Sequence, residues 1–77
     1  MKIEKDKVYK LEIGSGFYTV LTINAADKKD QVWNCLKLSI TNPLYFEGGM
    51  SAQYDACWFT ECLGTKEENA EYFVWNL

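Results

Sequence analysis

The apolar residues of this chain recur in short runs with hydrophobic side chains at alternate positions, and glycine, proline or charged residues interrupt the runs. In the run at 7–13, alternation places Tyr9 and Leu11 on one face of a predicted strand. Gly14 and Gly16 break this run, and the next run, 17–25, is rich in β-branched and aromatic residues. We therefore expect two antiparallel strands joined by a tight turn.

A third strand is predicted over residues 31–40, after the charged connection at 27–30. Alternation places Leu36 and Leu38 on one face of this strand and Trp33 on the other. Two interpretations of Trp33 follow. In the first, Trp33 lies on the outside of the sheet and is a second candidate for partner binding. In the second, it is covered, either by a closed barrel or by the C-terminal segment.

The second half of the chain gives a fourth strand and an ambiguous end. Residues 53–63 read as a strand with apolar side chains on both faces. Thr65 and Glu68 then fit a capping box that begins a helix, whereas the aromatic end of the chain favours a strand. A short helical turn at 66–71 followed by a strand at 72–76 would satisfy both signals.

Together these elements predict a single, mostly β domain over residues 1–77. We expect one small antiparallel barrel or sandwich of about five strands, similar in pattern to SH3-like barrels, with one short helix near 66–71. A chain of 77 residues has room for one hydrophobic core. Three Trp, five Tyr and four Phe supply the large side chains that such a small core needs.

The sequence lacks the residues of common catalytic sites. It has no histidine, and all eight of its basic residues are lysines. Without histidine there is no Ser-His-Asp or Cys-His arrangement, and the glycine clusters match neither a phosphate-binding loop nor a dinucleotide fingerprint. We expect a protein that is not an enzyme and that binds no cofactor.

The three cysteines predict neither a metal site nor a disulfide framework. Cys57 and Cys62 are five positions apart, so they would point to opposite faces of one strand, and with Cys35 they match no standard zinc spacing. The odd number, together with a charged N-terminus, indicates reduced thiols in the cytoplasm. The chain contains no apolar stretch of the roughly 20 residues that a membrane-spanning helix needs, so no membrane role is expected.

Charge is distributed unevenly along the chain. Residues 1–40 contain seven lysines and five acidic residues, whereas residues 41–77 contain one lysine and six acidic residues. An acidic half of this kind suits a basic surface on a larger protein. The predicted acidic contact residues are Asp55, Glu61, Glu67, Glu68 and Glu71.

The segment 44–50 follows a proline and includes a glycine pair, so a loop is expected there, yet it carries large apolar side chains. In one interpretation, Tyr45, Phe46 and Met50 form a partner-binding tip, since exposed aromatic residues often anchor protein interfaces. In the other, Leu44 and Phe46 fold back and close the end of the barrel.

Two classes of function compete. The first is a non-enzymatic adaptor or inhibitor of a larger complex that handles nucleic acid, in the style of small phage or mobile-element proteins that block host defence machinery. The second is a small barrel that binds single-stranded nucleic acid. It would use Lys10, Lys28, Lys29 and Lys37 for phosphates and Tyr18 or Trp33 for stacking.

Charge disfavours the nucleic-acid hypothesis, since the net charge is −3 and there is no arginine. A homodimer is a further hypothesis, because the apolar residues 72–75 could form an unpaired sheet edge that pairs with a second copy.

Overall fold

The computed structural model describes residues 1–14, 16–38 and 51–73. Its strands are β1 (Val8–Ile13), β2 (Gly16–Ala25), β3 (Val32–Leu38), β4 (Ser51–Asp55) and β5 (Phe59–Gly64). A 3-10 turn (Ala56–Trp58) joins β4 to β5, and a 3-10 helix (Glu67–Tyr72) follows β5. The five strands form one antiparallel sheet in the order β4-β3-β2-β1-β5, and this sheet is not closed. The prediction of a mostly β fold of about five strands is confirmed.

The first hairpin forms where the sequence predicts it. β1 and β2 pair in unbroken register from Val8 opposite Leu21 to Ile13 opposite Gly16. Gly14, at the turn, has a φ of +60°, a conformation that glycine adopts at little cost.

The prediction of one strand over residues 53–63 is wrong. This stretch contains the end of β4, the 3-10 turn and most of β5, and β4 and β5 lie at opposite ends of the strand order. The backbone N–H of Ala56 donates to the carbonyl of Gln31 at 2.8 Å, which holds the turn against the start of β3. Because only three residues join β4 to β5, the sheet curls until the end of β4 approaches the start of β5.

The main core lies on the face enclosed by this curl, which we call the inner face. Its buried residues are Tyr9, Leu11, Val20, Trp33, Cys35 and Phe59. The rings of Tyr9 and Phe59 meet edge to face, with centroids 5.2 Å apart. The interpretation that places Trp33 on the outside of the sheet is therefore wrong, since this side chain is only 5% exposed.

A smaller cluster lies on the opposite, outer face of the sheet. Val8, Leu21 and Leu38 are buried there, and Tyr72 and Phe73 from the end of the chain pack against them. The Tyr72 hydroxyl also donates to the Thr19 hydroxyl at 3.4 Å. The C-terminal 3-10 helix and the residue after it thus cover part of the outer face.

The capping box predicted at Thr65 and Glu68 is confirmed. The Thr65 N–H donates to Glu68 Oε1 at 2.9 Å, and the Glu68 N–H donates to the Thr65 hydroxyl at 3.1 Å. The helical turn predicted over 66–71 is present, but Tyr72 belongs to the 3-10 helix and Phe73 to a turn. The strand prediction is therefore wrong at these two residues, and 74–77 lie outside the described residues.

Candidate functional site

Another part of the outer face carries an exposed aromatic ring. Phe17 is 61% exposed, more than any other described large hydrophobic residue within a strand. Alternation along β2 places Phe17, Thr19 and Leu21 on the outer face. Leu21 is packed against the C-terminal segment and Thr19 is bonded to Tyr72, whereas Phe17 lies beyond the covered region.

Charged side chains lie next to this ring. The Lys10 ammonium lies over the face of Phe17, with its Nζ 4.6 Å from the ring centroid, in a cation–π arrangement. In the sheet register, Glu12 is the direct partner of Phe17, and Glu61 on β5 is the direct partner of Lys10. We call these four residues, Lys10, Glu12, Phe17 and Glu61, the outer patch.

Four of the five predicted acidic contact residues lie on the outer side of the sheet. Glu61 belongs to the outer patch. Glu67, Glu68 and Glu71 are exposed on the 3-10 helix, which covers a neighbouring part of the outer face. Bonds from the Thr65 N–H and hydroxyl hold the pKa of the Glu68 carboxyl below its usual value. Glu68 is therefore engaged in the helix cap, whereas Glu67 and Glu71 are the two exposed acidic residues of this helix outside the capping pair.

Asp55 belongs to a different element from these carboxylates. It is the last residue of the edge strand β4, directly before the 3-10 turn, and it is half-buried. It lines a shallow cavity of about 490 Å³ together with Gln31, Ala56 and Cys57. Asp55 is the one carboxylate among the described residues of this lining.

The aromatic candidates from the sequence are placed differently. Trp33 is buried in the main core, and its indole N–H donates to the Asp30 carbonyl at 3.1 Å. Tyr45, Phe46 and Met50 lie outside the described residues, so the binding tip at 44–50 stays a prediction.

A second lysine–aromatic pair lies on the inner side of the sheet. Lys37 Nζ is 4.4 Å from the centroid of the half-buried Tyr18 ring. Phe17 and Tyr18 are consecutive in β2 and therefore point to opposite faces. The two pairs do not form one continuous surface.

The cysteines occupy three separate environments. Cys35 is buried in the main core, and burial raises the pKa of its thiol to about 12. Cys57 on the 3-10 turn and Cys62 on β5 are both exposed. Within residues 1–14, 16–38 and 51–73, no three Cys, Asp or Glu side chains are grouped as a metal site would require. Across the same ranges, no helix is long and apolar enough to cross a membrane.

Phe17 and Glu12 are the members of this site that sequence reasoning missed. Alternation alone groups Phe17 with Leu21 on one strand face, but it does not say where the covering helix ends. The sequence offered one weak signal of an exposed ring at Phe17: this phenylalanine directly follows the glycine turn and precedes Tyr18, which faces the core. The chain matches no family model, no curated protein and no solved structure.

Proposed function

We propose that this protein is a non-enzymatic protein-binding module, an adaptor or inhibitor that docks on a basic surface of a larger protein. The observation that carries this proposal is the outer patch, in which the exposed Phe17 ring lies beneath Lys10 and beside Glu12. A basic surface that normally contacts nucleic acid would suit the carboxylates around the ring, so a nucleic-acid-handling complex is the proposed target.

Phe17 supplies the apolar anchor. Aromatic residues in the centre of an interface contribute much of its binding energy, and buried apolar area is worth about 25 cal/mol per Å². The contact with Lys10 also holds the ring before a partner arrives, which reduces the conformational entropy lost on binding.

The surrounding carboxylates supply the electrostatic complement. Glu12 lies opposite Phe17 and Glu61 lies opposite Lys10, and Glu67 and Glu71 extend the negative charge along the same side of the molecule. Over residues 51–73, five acidic side chains stand against Lys66 as the one base. Such a surface steers a basic partner and makes association dependent on salt concentration.

For the fold we propose an SH3-like arrangement. The strand order β4-β3-β2-β1-β5 supports it, as does the 3-10 turn that connects the two edge strands. In this arrangement a small sheet closes most of the way around one core, so its outer face is free to present a binding surface.

Affinity capture with two matched variants tests the binding proposal. Phe17→Ala should lose the partner that wild type captures. Ile23→Ala should retain it, because Ile23 is also an exposed apolar residue of β2 but lies outside the outer patch. Both variants should keep the wild-type circular dichroism spectrum, and raising the salt concentration should weaken capture by wild type. Equal capture by wild type and Phe17→Ala would contradict the proposal.

A second pair of variants tests the electrostatic part. Glu67→Gln with Glu71→Gln should slow association, whereas Glu4→Gln with Lys2→Gln, both exposed near the N-terminus, should not. The readout is the association rate constant for the captured partner, measured by surface plasmon resonance at low salt.

Single-stranded nucleic-acid binding is the alternative candidate, and the two lysine–aromatic pairs favour it. The burial of Trp33 and the placement of Phe17 and Tyr18 on opposite faces count against a continuous stacking surface. Salt-dependent binding of labelled single-stranded DNA at micromolar protein, abolished in Phe17→Ala, would favour this alternative over protein binding.

A further inference from the structure

The two edges of the sheet differ in how they are protected against pairing with another strand. Among the strands that the structure describes, β5 is one edge and pairs with β1, and β4 is the other and pairs with β3. An edge strand leaves every second N–H and C=O directed outward, and proteins blunt such edges with bulges, charges or covering segments.

The β5 edge carries several of these protective features. Its pairing with β1 is interrupted by two register shifts, one between Val8 and Tyr9 and one between Lys10 and Leu11. Glu61 places a charge in the middle of the strand, and the 3-10 helix begins three residues after its end. These features oppose the addition of a further strand at β5.

Among the described residues, the β4 edge shows neither a register shift nor a charge in the middle of the strand. Its five residues pair with β3 without interruption, from Val32 opposite Asp55 to Leu36 opposite Ser51. Ser51, Ala52 and Gln53 are exposed and uncharged, and the strand contains no proline or lysine. Over its five residues the strand is regular, and its one charged residue, Asp55, lies at its end.

We propose that β4 pairs antiparallel with β4 of a second copy of this chain, about a two-fold axis at Gln53. In this register Gln53 faces Gln53 of the second copy, Ser51 faces Asp55, and Ala52 faces Tyr54. The two five-stranded sheets join into one continuous sheet across the axis.

The sequence of β4 is self-complementary in this register. Each Gln53 amide offers both a donor and an acceptor to the other, and each Ser51 hydroxyl can donate to the Asp55 carboxylate opposite. The small Ala52 leaves space for the Tyr54 ring, which is on the inner face beside Trp58. No two like charges face each other, which is the condition for favourable cross-strand pairs.

This dimer differs from the one that the sequence suggests. That hypothesis placed the pairing edge at residues 72–75, but Tyr72 lies in the 3-10 helix and packs on the outer face. The β4 dimer also uses a different part of the molecule from the outer patch, so it does not depend on the proposed function. A five-residue edge buries little surface, and the expected dissociation constant is accordingly micromolar to millimolar.

A charge-swap experiment at Gln53 tests the proposal. Sedimentation equilibrium of wild type under reducing conditions, from micromolar to millimolar protein, should show a monomer–dimer equilibrium. Gln53→Lys and Gln53→Glu should each weaken dimerisation by about tenfold or more, because each places two like charges on the axis. An equal mixture of the two variants should dimerise again, because opposite charges then face each other.

Gln31 provides the matched control, since it is also an exposed glutamine but lies outside β4. Gln31→Lys and Gln31→Glu should dimerise as wild type does. Three outcomes would overturn the proposal: wild type that is monomeric at millimolar concentration, a dimer that persists unchanged in Gln53→Lys, or a mixture of the two Gln53 variants that does not recover.

Discussion

Thr22 shows how one buried hydroxyl fixes the N-terminal segment. The side chain is fully buried in β2, and its Oγ1 donates to the Glu4 carbonyl at 2.6 Å and accepts from the Lys7 N–H at 3.2 Å. The Asp6 N–H donates to the Thr22 carbonyl at 2.9 Å. Asp6 itself has a φ of +59°, so the hydrogen bonds to Thr22 hold a turn that is locally unfavourable for a residue other than glycine.

Replacing Thr22 with valine should therefore be costly although it preserves the side-chain shape. Thr22→Val removes the hydroxyl and leaves the Glu4 carbonyl without this donor, at a cost of about 1–3 kcal/mol in the free energy of unfolding. Urea denaturation followed by tryptophan fluorescence measures it. Thr60→Val serves as the control, since the exposed Thr60 hydroxyl makes one bond, to the Lys10 carbonyl, and should cost less than about 0.5 kcal/mol. Equal losses in the two variants would contradict this interpretation.

The three thiols should differ sharply in reactivity. Cys57 and Cys62 are exposed, whereas Cys35 is 0% exposed and its thiol has a pKa raised to about 12 by burial. At neutral pH a thiol reagent such as an aromatic disulfide should label two cysteines quickly and the third only on unfolding. The double variant Cys57→Ser, Cys62→Ser should lose the whole fast phase. Three fast thiols in the native protein would show that the core around Cys35 is open.

At the scale of elements, the end of β5 and the 3-10 helix form one interdependent unit. Gly64 has a φ of +103°, and a Cβ at this position would collide with Glu68 Oε1. The buried Asn69 amide donates to the carbonyls of Leu63 and Thr65 at 2.9 and 2.8 Å. Because Gly64 has no side chain, the Glu68 side chain can fold back to the start of the helix. The hydrogen bonds from Asn69 hold the helix against the end of β5.

The cap should be visible in the titration of Glu68. Thr65→Ala removes the hydroxyl, and the pKa of Glu68 should rise part of the way to its ordinary value, since the Thr65 N–H still donates. A lowered folded-state pKa gives stability that is present above the unfolded pKa and lost as pH falls through the folded pKa. Thr65→Ala should accordingly lose less stability on acidification than wild type does.

Carbon-detected NMR titration of the glutamate carboxyls measures this shift. Thr65→Ser is the control, because it keeps the hydroxyl and should keep the lowered pKa. A Glu68 pKa that is the same in Thr65→Ala and wild type would show that the hydroxyl does not contribute.

The elements that the sequence predicts well are those with local signals. β1, β2 and β3 lie within a few residues of their predicted ranges because alternation and flanking turn residues mark them. The break at Ala56–Trp58 carries no glycine or proline, and the hydrogen bond from Ala56 to the distant Gln31 holds it. Such a contact depends on the tertiary fold, so residues 53–63 were predicted as one strand.

The faces of the sheet were harder to predict than its strands. Alternation correctly places Trp33 on the opposite face from Leu36 and Leu38, but at these three positions both faces of the sheet are covered. The curl of the sheet encloses Trp33, and the C-terminal segment covers Leu38. The exposure of Phe17 on the outer face depends on how far the C-terminal segment extends. That segment reaches Thr19 through Tyr72, and these two residues are 53 positions apart in the sequence.

At the scale of the whole molecule, the inner core holds several protons that the unfolded chain would release in alkali. Burial raises the pKa of Cys35 from 9.0 to about 12, and it also raises the pKa values of Tyr9 and Tyr54 above their ordinary values. The folded protein therefore binds more protons than the unfolded chain over the pH range between these values. Stability from such groups is fully present below the unfolded pKa and is lost as pH rises through the folded pKa.

The free energy of unfolding should accordingly fall as pH rises from about 9 to about 12, with Cys35 contributing a slope of about 1.4 kcal/mol per pH unit. Cys35→Ala should be less stable at neutral pH because it leaves a cavity, yet its stability should fall less steeply in this range. Cys57→Ala is the control, since it removes an exposed thiol that lies outside the main core. Urea midpoints measured at half-unit pH intervals give the three slopes. Parallel curves for Cys35→Ala and wild type would show that the core admits the thiolate without unfolding.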